Sequence, residues 1–311
     1  MPLRALTVAL VFAVFCGRVL AADVIGYSEA FDTLYRVDLT TRTAVEIGRA
    51  TPIGAPRYAV IEGLTLSPTG QLYAVSDADS VKTLLQIDPS TGLASPIGNL
   101  ALTGGTVNQQ LDLGLAFTCD GRLWMSSGPG MFWQVNPVNA AATYIGNLGV
   151  KVTGLAAEGG VLYGTGSQGN NNLYRIDPVH ATATLVGAYG AGVSYITVTS
   201  PAFDASGRFW AVLDYVPPPN DTDPVAEWSD LAQIDPMSGV LSDLGDITAS
   251  GNSAGDLAFI GLRGLALPPT ICAARRPTDM TPALSWPAIA ALIALVGLLG
   301  GTRLTRRRLN A

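Results

Sequence analysis

The sequence predicts an all-β fold: five four-stranded blades closed into a ring, a five-bladed β-propeller. Three observations predict it. One pattern, an aliphatic residue, then Asp or Asn, then Gly ten residues later, occurs five times. Its Asp/Asn positions, 38, 88, 136, 177 and 235, lie 50, 48, 41 and 58 residues apart, about the length of one four-stranded blade. The pattern is also out of phase with the chain ends. The body opens on a second strand, 24–28, and closes on a first strand, 256–260, so the last strand is expected to complete the first blade, 24–48. The uneven spacing leaves a sixth blade open, near Tyr189–Thr199.

Residues 1–22 read as a signal peptide. Arg4 supplies a positive start, Leu6–Phe15 an apolar stretch too short for a comfortable membrane span, and Ala21 and Ala22 small residues for cleavage. Cys16 does not mark a lipoprotein site, because Phe15 occupies a place that needs a small residue.

Residues 23–267 form the predicted propeller. With 35 Gly, 20 Pro and only 14% charged residues, the chain suits short strands joined by tight turns. Its cleanest unit is Gly63–Gly98, in which GLTLS, QLYAVS, LLQID and LASPIG alternate apolar residues at period two. Asp38, Asp88, Asn136, Asp177 and Asp235 are expected to hold the turn that follows them by accepting its backbone N–H groups. Tyr73, Trp124, Tyr163 and Trp210 recur in the second strands and are expected to pack between sheets. This body holds 10 basic and 23 acidic side chains, a net of −13. Such a surface repels phosphate backbones, which argues against nucleic acid as a partner.

The candidate chemistry is sparse. The single histidine, His180, lies in a turn, so neither a Ser-His-Asp triad nor a histidine zinc cluster is expected. Glu62, Asp112 and Asp256 each stand at or just before the start of a predicted innermost strand, at the mouth of the ring. Three carboxylates there, with Asn108, would suit Ca²⁺, a hard cation that takes six to eight oxygens; plain solvation of the channel is the other reading. Tyr215–Asp230 is the longest insertion, stiffened by three prolines and carrying Asp221, Asp223, Glu227, Trp228 and Asp230. Cys119 and Cys272 are expected to form a disulfide, since an exported chain meets an oxidising compartment.

Residues 268–286 form a Pro-containing linker, 287–302 an apolar segment that with its flanks is long enough for a transmembrane helix, and 303–311 a basic tail expected to stay cytoplasmic. The plain reading is a membrane anchor. Pro282, Leu284, Ser285 and Trp286, followed by the span and Arg303, Arg306, Arg307 and Arg308, resemble C-terminal sorting signals of the IPTL/PEP type in Gram-negative bacteria. That resemblance implies handling by an exosortase-like sorting enzyme and display at the cell surface or in the matrix.

The repeat GLTLSPTGQLYAVSD is similar to blades of NHL and SMP-30-like propellers. The resemblance covers the scaffold. Enzymes of that group hydrolyse lactones or esters with a central metal, but their ligand set does not map residue by residue here. Two functions follow as expectations: an exported, non-enzymatic propeller binding an envelope protein or polysaccharide without a cofactor, or a metal-dependent hydrolase using Glu62, Asp112 and Asp256.

Overall fold

The strands follow the repeat. The structure, a computed structural model, describes residues 24–268 apart from 31, 53–54, 56–57, 59, 79–80, 168, 192–195, 216–228 and 251–260. The first blade begins with β1 (Ile25–Ala30), β2 (Thr33–Asp38) and β3 (Thr43–Arg49). The second is β4 (Ile61–Leu66), β5 (Leu72–Asp77), β6 (Lys82–Ile87) and β7 (Ala94–Asn99). The third is β8 (Gly114–Phe117), β9 (Leu123–Ser126), β10 (Met131–Val135) and β11 (Ala142–Asn147). The fourth is β12 (Gly154–Glu158), β13 (Val161–Thr165), β14 (Asn172–Asp177) and β15 (Thr182–Ala188). The fifth is β16 (Ile196–Phe203), β17 (Phe209–Tyr215), β18 (Ser229–Ile234) and β19 (Leu241–Asp246). Two short strands, β20 (Thr248–Ser250) and β21 (Arg263–Ala266), then return to the first blade.

Among the described residues there are five sheets, and their innermost strands β21, β4, β8, β12 and β16 adjoin one another in a closed circle. The segment considered for a sixth blade instead opens β16, and Tyr189 is buried between blades four and five.

The closing strand differs from expectation. β1 pairs with β21, Tyr27 opposite Ala266 and Glu29 opposite Arg263, so the ring is closed by Arg263–Ala266 and not by 256–260, which lies outside the described residues. The reason is legible in hindsight: Gly264-Leu265-Ala266 repeats the inner-strand sequences Gly114-Leu115-Ala116 and Gly154-Leu155-Ala156. These glycines allow close approach. A Cβ on Gly114 would lie 2.8 Å from the Cα of Gly154, and one on Gly264, at φ +66°, 2.6 Å from the Leu64 Cβ. A second closure was not expected: β20 lies parallel on the outer edge of β3, covering a strand edge that would otherwise be open.

Among the described residues the core consists of five apolar clusters, each shared by two neighbouring blades. Tyr73 meets Phe117 edge-on across blades two and three, and Tyr163 meets Phe203 and Phe209 across blades four and five. The recurring aromatics are thus buried packing, as their periodicity implies.

The Asp/Asn turns behave as the sequence predicts. Asp38 accepts from Thr40 and Thr41 N–H, Asp88 from Ser90, Asn136 from Val138, Asp177 from Val179 and Asp235 from Met237. The repeat's terminal glycine has a separate cause. A Cβ on Gly187 would overlap the Ser238 carbonyl oxygen in the turn of the next blade, and one on Gly48 the Thr91 carbonyl. Each blade's outer strand therefore latches onto the following blade's turn.

Candidate functional site

The site is built at the end of the ring where inner strands begin and second strands finish. The residue before the inner-strand glycine is Glu62, Leu113, Thr153 and Arg263 in blades two, three, four and one. Glu29, Asp77 and Asp214 arrive at the same end on β1, β5 and β17, opposite or beside the starts of β21, β4 and β16. At this end a small central cavity, with room for about one water-sized body, has Glu62, Thr153, Ser200 and Arg263 as its polar lining.

Arg263 is the hub. Its Nη1 donates to Glu62 Oε1 at 2.8 Å and its Nε to Asp214 Oδ2 at 3.0 Å. One guanidinium on the closing strand thus bridges blades two and five. Gly261 allows this, since a Cβ there would overlap the Asp214 carboxylate. Burial pushes Glu62 up to about 8 against the pull of Arg263, and Asp214 up to about 6 against the same pull. Glu29, buried opposite Arg263, is raised well above the usual carboxylate range by burial. Arg263 is itself raised: burial opposes its charge, but Glu62, Asp214 and Glu29 more than offset it.

A second buried pair braces the neighbouring loop. Lys82 Nζ lies 2.6 Å from Asp77 Oδ1 and donates to the carbonyls of Ala78 and Gln109. Asp77 Oδ2 accepts the Leu111 N–H at 2.6 Å, and Glu62 Oε2 accepts the Leu113 N–H at 2.7 Å. Both amides flanking Asp112 are therefore held by buried carboxylates. Asp112 stands between them at φ +51°, a left-handed conformation costly for most residues other than Gly, Asn and Asp.

The structure brings Glu62 and Asp112 together at the mouth and leaves Asn108 exposed on the loop above. Asp256 lies outside the described residues. Because β21 closes the ring, the residue at the mouth position on the last strand is Arg263. The fit to Ca²⁺ is poor among the described residues: one Glu62 oxygen faces a guanidinium and the other a backbone N–H, and no group of three His, Cys, Asp or Glu side chains has metal-binding spacing.

Of the other candidates, His180 is exposed and pairs with its own turn's Asp177 at 2.8 Å. Cys119, in the β8–β9 turn, is not a free thiol; Cys272 lies outside the described residues. So do 1–22, Asp221, Asp223, Glu227, Trp228, Pro282, Leu284, Ser285, Trp286, Arg303 and Arg306–Arg308. At the edge of the insertion, Asp230 lies opposite Asp246 and near Asp243, and burial with these acids pushes Asp230 up to about 8.

Sequence reasoning missed Arg263, Glu29, Asp77, Lys82 and Asp214. A signal existed for some of them: QLYAVSD and RFWAVLD both end the second strand in Asp, and RGLA places a cation where the second blade's inner strand has Glu62.

Residues 67–200 match the family model described as a Repeat of unknown function (DUF6923). No curated protein matches the chain. Among solved structures, the chain is similar to an engineered GH43 glycoside hydrolase, with 12% identity over 72% of this chain and 50% of that one and a TM-score of 0.52. It is also similar to TolB from Acinetobacter baumannii, with 14% identity, 80% and 67% coverage and a TM-score of 0.46. A protein assigned as a gluconolactonase gives 16% identity, 73% and 79% coverage and a TM-score of 0.40. At such identities the likeness is one of fold.

Proposed function

We propose that this chain is an exported, non-enzymatic propeller that binds an envelope protein or polysaccharide through the mouth of its ring. The carrying observation is the mouth itself: a charged, largely buried constellation held on a rigid scaffold, above a channel narrowed by inner-strand glycines. The cavity has room for only about one water-sized body, far less than a pocket that encloses a drug-sized ligand, which favours recognition at the face. The leader 1–22 and the segment 268–311 support export followed by anchoring in the inner membrane or sorting to the surface. A Cys119–Cys272 disulfide would tie that segment to the ring, and the linked peptide in unreduced mass spectra tests it.

The mouth reading is tested by co-sedimentation of the purified protein with envelope material. Asn108 and Gln110 are exposed on the loop above the mouth, so Asn108→Arg with Gln110→Arg should abolish co-sedimentation without changing the melting temperature. Undiminished co-sedimentation would move the binding face elsewhere.

The second reading, a metal-dependent lactone or ester hydrolase, draws on the excess of carboxylate at the same mouth. Metal retained in stoichiometric amount after dialysis, with melting lowered by chelator, would support it. Indifference to chelator and to Asp256→Ala would remove it.

A further inference from the structure

The mouth holds more acceptors than its own cations satisfy. Glu29, Glu62, Asp77, Asp112 and Asp214 face Lys82 and Arg263. Lys82 pairs with Asp77, and Arg263 with Glu62 and Asp214. Among the described residues, neither Glu29 nor Asp112 takes part in an ion pair. Two further observations point to a ligand rather than to a merely acidic surface. Thr153 is 2% exposed, lines the cavity, and its Oγ1 has no hydrogen-bond partner. Glu29 is 3% exposed, and its Oε2 likewise has none. Buried polar atoms in folded proteins are almost always paired, so Thr153 Oγ1, left over in the cavity wall, marks a place for a donor, with the Glu29 atom an unpaired acceptor opposite Arg263 nearby.

We propose that the mouth receives one primary ammonium group, the side-chain head of a lysine on a protein partner, with Asp112 and Thr153 as its acceptors and Glu62 beside it. The proposal rests on the mouth being the binding face and names the chemistry it selects. An ammonium is a compact charge with three donors that rotate to suit the acceptors offered, whereas guanidinium is a planar fork. The cavity has room for about one water-sized body, which admits –NH₃⁺ and not the fork. The backbone at Asp112 is fixed, because the N–H groups of Leu111 and Leu113 on either side are held by Asp77 and Glu62. Binding is coupled to protons. Burial holds Glu62 up at about 8, and a cation beside it favours its ionised form. Glu29 on β1, Asp77 on β5, Asp112 on the loop and Asp214 on β17 act in the same sense, while Arg263 on β21 and Lys82 on β6 oppose. Protons are released on binding, and affinity rises between pH 6 and pH 8.

The test is calorimetric titration of the full chain with n-butylammonium chloride, with sodium chloride as the control. It is repeated with a lysine-containing tripeptide, with its Nε-acetylated copy and with glucosamine. The expected results are saturable butylammonium binding that tightens from pH 6 to pH 8, binding of the lysine peptide but not of its acetylated copy, and a loss of about tenfold in Asp112→Asn. Asn tolerates the left-handed backbone, and an unchanged melting curve confirms that this variant is folded. Heat no different from sodium, equal binding of the acetylated peptide, or unchanged affinity in Asp112→Asn would overturn the proposal. Glucosamine binding without lysine-peptide binding would overturn it in favour of an amino sugar. Co-sedimentation still sensitive to Asn108→Arg, with no ammonium binding, would remove the lysine and leave the mouth as the binding face.

Discussion

At the scale of single residues, Arg263 carries the most consequence. It is the cation shared by Glu62 and Asp214, and it faces buried Glu29. Removing one partner of a buried charge group leaves the others uncompensated, which typically costs about 3–5 kcal/mol. Arg263→Met should therefore destabilise the protein strongly at pH 8 and less at pH 5, where the acids take up protons; urea unfolding at the two values checks this. The wild type has a related pH dependence. Glu62 and Asp230 are both raised to about 8 from ordinary values near 4. For a carboxyl raised in the folded state, the stabilisation is complete below its unfolded pKa and is lost as pH climbs through the folded one. The melting temperature should thus fall between pH 5 and pH 9, and Glu62→Gln should flatten that slope. A flat profile in the wild type would contradict the assignment.

At the scale of the element, the repeating unit is a strand pair with its Asp turn, and its weak point is the latch between blades. Gly187 meets the Ser238 carbonyl and has no room for a side chain, whereas Gly70, at φ +82°, has nothing within 4 Å of the added atom. Gly70→Ala should cost only the left-handed backbone penalty, about 1–2 kcal/mol. Gly187→Ala must instead push two blades apart, and overpacking of this kind costs about 1–3 kcal/mol. The two mutants separate by structure as well as by size: loss of hydrogen-exchange protection should centre on β15 and β18–β19 for Gly187→Ala and on the β4–β5 turn for Gly70→Ala.

At the scale of the whole molecule, stability depends on closure. The first blade takes β1–β3 from the start of the described chain and β20 and β21 from its end. Among the described residues no blade has a core of its own, because each apolar cluster is shared with a neighbour. Unfolding is accordingly expected to be one cooperative transition. Leu265, buried in the cluster between blades five and one, tests this. Leu265→Ala should cost about 2–5 kcal/mol and lower melting recorded by tryptophan fluorescence and by far-ultraviolet dichroism together. Melting curves that part company would mean that blades unfold singly.

The sequence by itself determined the blade repeat, the turns and the buried aromatics, because these depend on local chemistry that recurs along the chain, whereas the choice of five blades over six came from the sheets. Asp88 and its equivalents could be read as turn formers since their partners lie two or three residues away. Glu62 could be placed at the mouth because it stands at an inner-strand start. Only the tertiary structure decided what Glu62 does there. Its partner Arg263 lies 201 residues further on, and that pairing exists only once β21 has closed the ring. The expected last strand, 256–260, and Arg263–Ala266 both fit the inner-strand pattern. Arg263–Ala266 holds the place by packing: Gly264 lets β21 approach Leu64 closely, and Arg263 then enters the space between three carboxylates. Periodicity specifies which residues form strands; the meeting of distant charges at the mouth follows from how the ring closes.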